Sequence, residues 1–362
     1  MRILTISNTP HDPSQGSGYV ITGFAEGLRE CGHTVDAYGP DDWAWTDIQR
    51  GRRYLFPIMI ATFAFWHCRP ENYDLVELWG GPTWLLAICL QWLYPKLSLV
   101  HHSNGIEQHR VVVQQETPVA GVQNERWFQR DFSWLYDRGL HAADAIVTVS
   151  TYDVPFLIDR EFVPRERVYT IENPLPDFFL GQTVQYERPK RIGFCGNWIP
   201  IKNTQLLRDD VPSFLRQYPD WTFSVVGIGD TDVKADFPDD VHSQIEVIPF
   251  LERKELVDWY HSLAIFTLPS IYESFGMVMT EAMACGATLV ATRVGFASGL
   301  SHGDNAYLLT EKKSSHLERA LTALTDNDER RRRIARRGYE RVQELRWDDA
   351  VSSLEEIYTR LL

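Results

Sequence analysis

The sequence predicts an α/β protein built from two doubly wound halves that face each other across a cleft. Three observations predict it. The chain has 362 residues, which at about 150 residues per domain makes roughly two domains. Short β-branched runs alternate with helical stretches, as a parallel sheet with crossover helices requires. The alternation stops at a polar segment, residues 181–190, and then begins again.

In the first half, Arg2–Ser7 reads as a buried strand. A Gly- and Ser-rich loop follows, Pro13–Gly18, then a helix over Val20–Glu30 capped by Cys31-Gly32. Thr34–Tyr38 is the second strand. Leu75–Leu78, Leu97–Val100 and Ala145–Val149 continue the series. In the second half, strands are expected at Arg191–Cys195, Phe223–Val226, Ile245–Ile248, Ile265–Leu268 and Thr288–Thr292. Ligands of such folds bind outside the carboxyl ends of the strands. The tail from Asp326 to Leu362 reads as helix, with the basic run Arg330–Arg337 as a solvated face.

Composition narrows the function. Hydrophobic residues make up 44% and charged residues 23%, which excludes disordered, fibrous and small disulfide-stapled chains. A net charge of −13 argues against a nucleic-acid partner, because neutralising phosphates needs a basic footprint. Five cysteines, an odd number without metal-ligand spacing, read as reduced thiols of a cytoplasmic protein. The opening apolar run is too short for a signal peptide. The apolar stretches Tyr54–Trp66 and Trp84–Tyr94 fall short of the ~20 residues that span a bilayer. They are expected as buried core, with an aromatic surface resting on a membrane as the alternative.

The chemistry concentrates in Leu268–Gly286. A strand ends at Leu268, Pro269–Phe275 form a loop, and Gly276 opens a helix that Gly286 closes. A glycine there lets an anion approach free backbone amides at the positive end of the helix. Glu273 stands before that helix and Glu281 about one turn inside it. A carboxylate accepts two hydrogen bonds from a vicinal diol, so sugar hydroxyls suit this pair.

These residues, Pro-Ser-x-x-Glu-Ser-Phe-Gly…Glu-Ala-Met-Ala-Cys-Gly, resemble the signature of glycosyltransferase family 4. Leu28–Val35, Asn173-Pro174, Val225–Gly229, Phe296–Asn305 and Arg346-Trp347 are similar to other segments of that family. The resemblance implies the GT-B fold: a Rossmann-like acceptor domain (1–178), a Rossmann-like nucleotide-sugar domain (179–345) and a C-terminal helix (346–362) that returns to the first domain. It implies a retaining, metal-independent transferase with a UDP-, GDP- or ADP-linked sugar donor and a hydroxyl acceptor, and no cofactor. Glu281 would bind the ribose hydroxyls and Glu273 the donor sugar. Backbone amides around Ser274, Phe275, Gly276 and Met277 would hold the sugar and the diphosphate. Lys202 would pair with the diphosphate. Asn197 stands where the family usually has an arginine, which keeps open an inactive nucleotide-sugar-binding homologue. Phe250 and Leu251 fall where the base is cradled, and Gly227 also falls in a donor-binding segment. Gly16, Ser17 and Gly18 match the family's glycine loop. The family carries a histidine near the reaction centre, for which His102 is the nearest imidazole, although Asn104 takes its place in one register.

Other readings are weaker. Gly16-Ser17-Gly18 lacks the third glycine of a dinucleotide loop at the right spacing. Asp230-Thr231-Asp232 resembles a metal-binding Asp-x-Asp but follows Gly229 as a turn would. Glu273 and Glu281 could be a glycosidase acid and base, yet a hydrolase needs no phosphate loop or Lys202. Eight of the twelve tryptophans, Trp43, Trp45, Trp66, Trp79, Trp84, Trp92, Trp127 and Trp134, precede residue 140. Their faces suit a carbohydrate, glycolipid or natural-product acceptor.

Overall fold

The computed structural model describes residues 1–12, 16–44, 55–117, 133–310 and 315–362. Its chain forms two compact units: Met1–Val112, Asn124–Pro174 and Trp347–Leu362 in one, Val113–Gln123 and Leu175–Arg346 in the other.

The first unit holds a six-stranded parallel sheet in the order β2-β1-β3-β4-β5-β6. Its strands are β1 (Arg2–Ser7), β2 (Thr34–Tyr38), β3 (Leu75–Trp79), β4 (Ser98–Ser103), β5 (Ala145–Thr148) and β6 (Val168–Thr170). Alternate residues of a strand point to opposite faces. Ile3, Leu75 and Trp79 therefore meet Phe24, Leu354 and Tyr358 on one side. Leu4, Ile6 and Val76 meet Met59, Ile60 and Leu90 on the other. The three-residue β6 is too short to carry a readable pattern, and β4 runs on to Ser103.

The first helix, Gly16–Glu30, starts earlier than its apolar pattern suggests, so Gly16, Ser17 and Gly18 are its first turn. The tail is two helices, Asp328–Val342 and Trp347–Leu361. In the break between them the Leu345 carbonyl accepts the Leu175 amide at 2.9 Å. The basic run is only partly a solvated face. Arg331 is buried and paired with Asp328, and Arg336 covers the Tyr186 ring. The last helix lies on the first, buried through Val351, Leu354, Ile357 and Tyr358.

Two glycines make that contact possible. A Cβ at Gly23 would stand 2.1 Å from the Trp347 ring, and one at Gly27 2.5 Å from Val351 Cγ2. Gly23 and Gly27 are four residues apart, on one helix face.

The apolar stretches are helices at Phe56–Phe63 and Trp84–Leu93. Met59, Ile60, Leu86 and Leu90 are core, whereas Ile58, Trp66, Trp92 and Leu93 are exposed. Among the described residues no helix is long and apolar enough to cross a membrane. Trp43 and Trp79 are buried, Trp134 is exposed, and Trp45 and Trp127 lie outside the described residues.

The second unit repeats the architecture in the order β12-β11-β10-β7-β8-β9, all parallel. Its strands are β7 (Arg191–Cys195), β8 (Thr222–Val226), β9 (Ile245–Ile248), β10 (Ile265–Leu268), β11 (Thr288–Thr292) and β12 (Tyr307–Leu309).

Gly27→Leu is expected to lower the melting temperature by several degrees. Overpacking costs about 1–3 kcal/mol, at roughly 2–4 °C per kcal/mol for domains of this size. An unchanged transition by circular dichroism would mean that the last helix does not press on this face.

Candidate active site

The chain of the second unit runs from β7 to β8 and β9 on one side, then returns to β10 on the other side of β7. Loops leaving β7 and β10 therefore diverge, and a crevice opens at their carboxyl ends. Both loops carry residues singled out from the sequence. After β7 come Gly196 (φ 129°), the exposed Asn197, the buried Trp198 and the turn Pro200–Lys202. After β10 comes Pro269–Gly276. The Ile271 amide donates to the Ile201 carbonyl at 2.8 Å and ties the two loops together.

Across this tie Lys202 Nζ donates to Glu273 Oε1 at 2.6 Å. The hydroxyl of the fully buried Ser270 donates to the same oxygen, also at 2.6 Å. The Lys202 side chain retains 21% of its exposure and that of Glu273 10%, so the ion pair is largely withdrawn from water.

The helix after this loop spans Met277–Ala284, with Gly276 as its N-cap at φ 89°. It ends in a Schellman motif: the Gly286 amide donates to Met283 O and the Ala287 amide to Ala282 O. Phe275 packs its ring on Phe296, and its carbonyl accepts the Phe296 amide at 2.8 Å, so it offers the crevice backbone only. Ser274 and Met277 are partly exposed beside it. The first amides of a helix have no partner four residues back, which suits an anion.

Glu281 lies one turn into this helix. Tyr260, on the helix Arg253–His261, donates its hydroxyl to Glu281 Oε2 at 2.8 Å. Burial pushes the Glu281 carboxyl up to about 7, against the lowering effect of Tyr260 and Arg253. Tyr260 escaped the sequence reading, and Ser270 stood in the quoted motif without a role; only the fold brings each hydroxyl to a carboxylate.

Along β8 and β9 the same edge continues. Gly227 has a φ of 80°, which asks for glycine, and a Cβ on it would be in ordinary contact with the Gly196 backbone at 3.5 Å. Phe250 is 71% exposed and Leu251 partly so, just beyond β9. Asp232 accepts the Ala235 amide at 3.3 Å, as a turn residue does.

The first unit holds the remaining candidates. Gly16 is open. Gly18 is crowded, since a Cβ would stand 2.3 Å from the Asp12 carbonyl oxygen, so backbone packing alone demands glycine there. Residues 13–15 of the expected loop lie outside the described residues. His102 falls inside β4 and has no exposed surface. Its ring stacks on Trp79 at 3.7 Å, and its Nδ1 meets Glu77 Oε1 at 2.9 Å. Thr5 donates to the other Glu77 oxygen at 2.8 Å. Burial opposes charge on Glu77, but the hydrogen bond and charge of His102, joined by hydrogen bonds from Tyr358 and Trp79, together hold the carboxyl below its ordinary range. In this placement no atom of His102 is open to direct contact with a substrate. Asn104, just past the strand, is partly exposed. A lone glutamate in the apolar strand Leu-Val-Glu-Leu-Trp was the signal for this pair.

Residues 189–327 match the family described as glycosyl transferases group 1, and residues 15–174 the glycosyl transferase 4-like domain. A D-inositol 3-phosphate glycosyltransferase of Corynebacterium aurimucosum is 30% identical over 324 residues, 82% of this chain and 74% of that protein. The chain belongs to glycosyltransferase family 4. Alignments of this family member with its curated relatives span from 24% to 74% of their lengths. Its fold is the GT-B fold. Sucrose-phosphate synthase from Thermosynechococcus elongatus superposes with a TM-score of 0.77 at 17% identity, covering 100% of this chain and 99% of that one. Anabaena HepE in complex with UDP superposes at 0.70 with 16% identity, covering 99% and 100%.

The raised Glu281 carboxyl gives a pH signature. Unfolded, the group loses its proton near the ordinary 4.5; folded, it keeps it to about 7. The stability this contributes is present below 4.5 and lost as pH rises through about 7. Glu281→Gln, which cannot ionise, should therefore gain in melting temperature relative to the parent between about pH 5 and about pH 8. A difference that stays flat across that range would contradict the shift.

Proposed function

We propose that this protein moves a sugar from a nucleotide-sugar donor to a hydroxyl of a carbohydrate, glycolipid or natural-product acceptor, with retention at the anomeric carbon and without a metal ion. The observation that carries the reading is the Lys202–Glu273 pair at 2.6 Å in the crevice between the ends of β7 and β10. It sets a cation and a carboxylate beside a helix N-terminus, which together match a diphosphate and a sugar.

In this reading the donor's diphosphate draws on Lys202 and on the backbone around Ser274, Phe275, Gly276 and Met277. Glu273 faces the donor sugar, held in place by Ser270. Glu281 accepts from the ribose, and Phe250 and Leu251 border the base. The bond from the anomeric carbon to phosphate oxygen breaks, and a bond to the acceptor oxygen forms on the same face. The acceptor's proton passes to the departing phosphate, so no side chain need act as a strong nucleophile. Stabilising the leaving diphosphate with fixed dipoles and a cation is the main contribution of the protein. His102 serves here as a support of β4 through Glu77. Gly16 to Gly18, at a helix N-terminus, remain suited to an anion.

The UDP of the HepE complex favours trying UDP-sugars first, and the name of the Corynebacterium relative favours a phosphorylated cyclitol among the acceptors. The exposed rings of Trp66, Trp92 and Trp134 suit a sugar or an apolar aglycone.

Turnover of a panel of UDP-, GDP- and ADP-sugars in EDTA tests this. Activity should survive chelation, and the product should keep the donor's anomeric configuration by NMR. Loss of turnover in EDTA, restored by Mg²⁺ or Mn²⁺, would overturn the metal-free reading. Lys202→Ala should cut kcat/KM roughly a hundredfold, for ~3 kcal/mol of lost transition-state stabilisation. Near-normal turnover of that variant would remove Lys202 from the phosphate.

Asn197 tests the phosphate site from the other side. Its side chain is exposed, while the neighbouring Trp198 is anchored on Phe194 and on Asp236. An arginine therefore has room, and Asn197→Arg should tighten nucleoside-diphosphate binding in calorimetry. Unchanged or weaker binding would place the diphosphate away from residue 197.

A further inference from the structure

We propose that Tyr260 is a positioning residue for the nucleotide: its hydroxyl holds Glu281 Oε2, so that the carboxylate presents Oε1 to the ribose. The proposal rests on the reading of Glu281 as the ribose acceptor and deepens it.

The geometry has three parts. The Tyr260 hydroxyl donates to Glu281 Oε2 at 2.8 Å. The Tyr260 ring is fully buried and meets Phe266 at 5.8 Å and Phe179 at 6.1 Å, both edge-on, so packing holds the hydroxyl oxygen in place, with the Cys195 thiol as its other neighbour. The backbone behind both residues is clamped from one point. Arg188 donates Nη1 to the carbonyls of Tyr260 (3.3 Å), His261 (2.7 Å) and Leu263 (3.2 Å), and its Nη2 to that of Cys285. Thus one guanidinium closes the end of the helix that carries Tyr260 and the end of the helix that carries Glu281. A Cβ on Gly286 would stand 2.7 Å from Arg188 Nη2, so glycine keeps the clamp in reach.

A carboxylate rotates about its terminal bond at little cost. Left alone, Glu281 would bind a ribose only after losing that freedom. With Oε2 tied, Oε1 is aimed before the nucleotide arrives, and less ordering remains to be done on binding. The charged and titratable groups around Glu281 are Tyr260 and Arg253 on the preceding helix, Cys195 at the end of β7, and Cys285 at the end of its own helix. Tyr260 and Arg253 favour the ionised form, and burial opposes it.

The test is calorimetry of UDP, GDP, ADP and inorganic pyrophosphate with the parent protein, Tyr260→Phe, Glu281→Ala and the double variant. The phenyl ring keeps the packing and removes only the hydroxyl; far-ultraviolet circular dichroism checks that each variant folds. Tyr260→Phe should weaken the best-bound nucleoside diphosphate about tenfold, the worth of one charge-assisted hydrogen bond, and leave pyrophosphate unchanged. In the Glu281→Ala background the same change should have no further effect. The pH midpoint of nucleotide affinity should move up by about one unit in Tyr260→Phe, because the lost donor favoured the carboxylate. Equal weakening of pyrophosphate, or a full effect in the double variant, would reduce Tyr260 to a structural residue. If Glu281→Ala weakens nucleotides while Tyr260→Phe binds like the parent at every pH, positioning fails and the ribose role stands. If Glu281→Ala itself binds nucleotides like the parent, the ribose role fails and the proposal falls with it.

Discussion

A fully parallel sheet covered by helices has no solvent face, so its polar chemistry is driven to the strand ends. The inner strands β3, β4, β5, β10 and β11 are buried along their whole length, while β2, β6 and β9 are buried only in part. In the second unit the return of the chain to the far side of β7 opens the crevice where Lys202 and Glu273 meet. The rest of the candidate site depends on that reversal. Without it the loops after β7 and β10 would not be neighbours, and a lysine 71 residues from Glu273 would not join Ser270 in donating to its Oε1.

Both carboxylates of the site are held by one oxygen. Ser270 and Lys202 occupy Glu273 Oε1, and Tyr260 occupies Glu281 Oε2. Withdrawing a carboxylate from water is unfavourable unless it is hydrogen-bonded. The two sites meet that demand differently. Glu273 has a cation against it. Glu281 has a neutral hydroxyl, with Arg253 as its favourable charge, and burial leaves its carboxyl at about 7.

The first unit contains a third withdrawn carboxylate, Glu77, inside the sheet rather than at its edge. Thr5 on β1 and His102 on β4 satisfy it from the neighbouring strands on either side of β3. Its face is covered by the first and last helices, whose approach rests on Gly23 and Gly27. The C-terminal helix is in this way part of the first unit's core.

The sequence alone determined the architecture and the heart of the motif. Strand and helix periods are local, so alternation of the two kinds of run announced both sheets. Glu273 and Glu281 stood out because their loop, glycine and helix are contiguous. The same locality hid the rest. Tyr260 is 21 residues from Glu281, and Glu77 is 25 from His102. Those distances are closed by strand order and helix packing, which no period in the chain encodes. The sequence placed Gly18 in a phosphate loop; tertiary structure adds that the backbone of Asp12 crosses it closely. It offered His102 as the imidazole nearest the reaction centre, yet β4 runs on past it because β5 pairs through Ser103, and the ring is carried inside onto Glu77. Side-chain chemistry is written residue by residue, but the partner that gives each group its function is chosen by the fold.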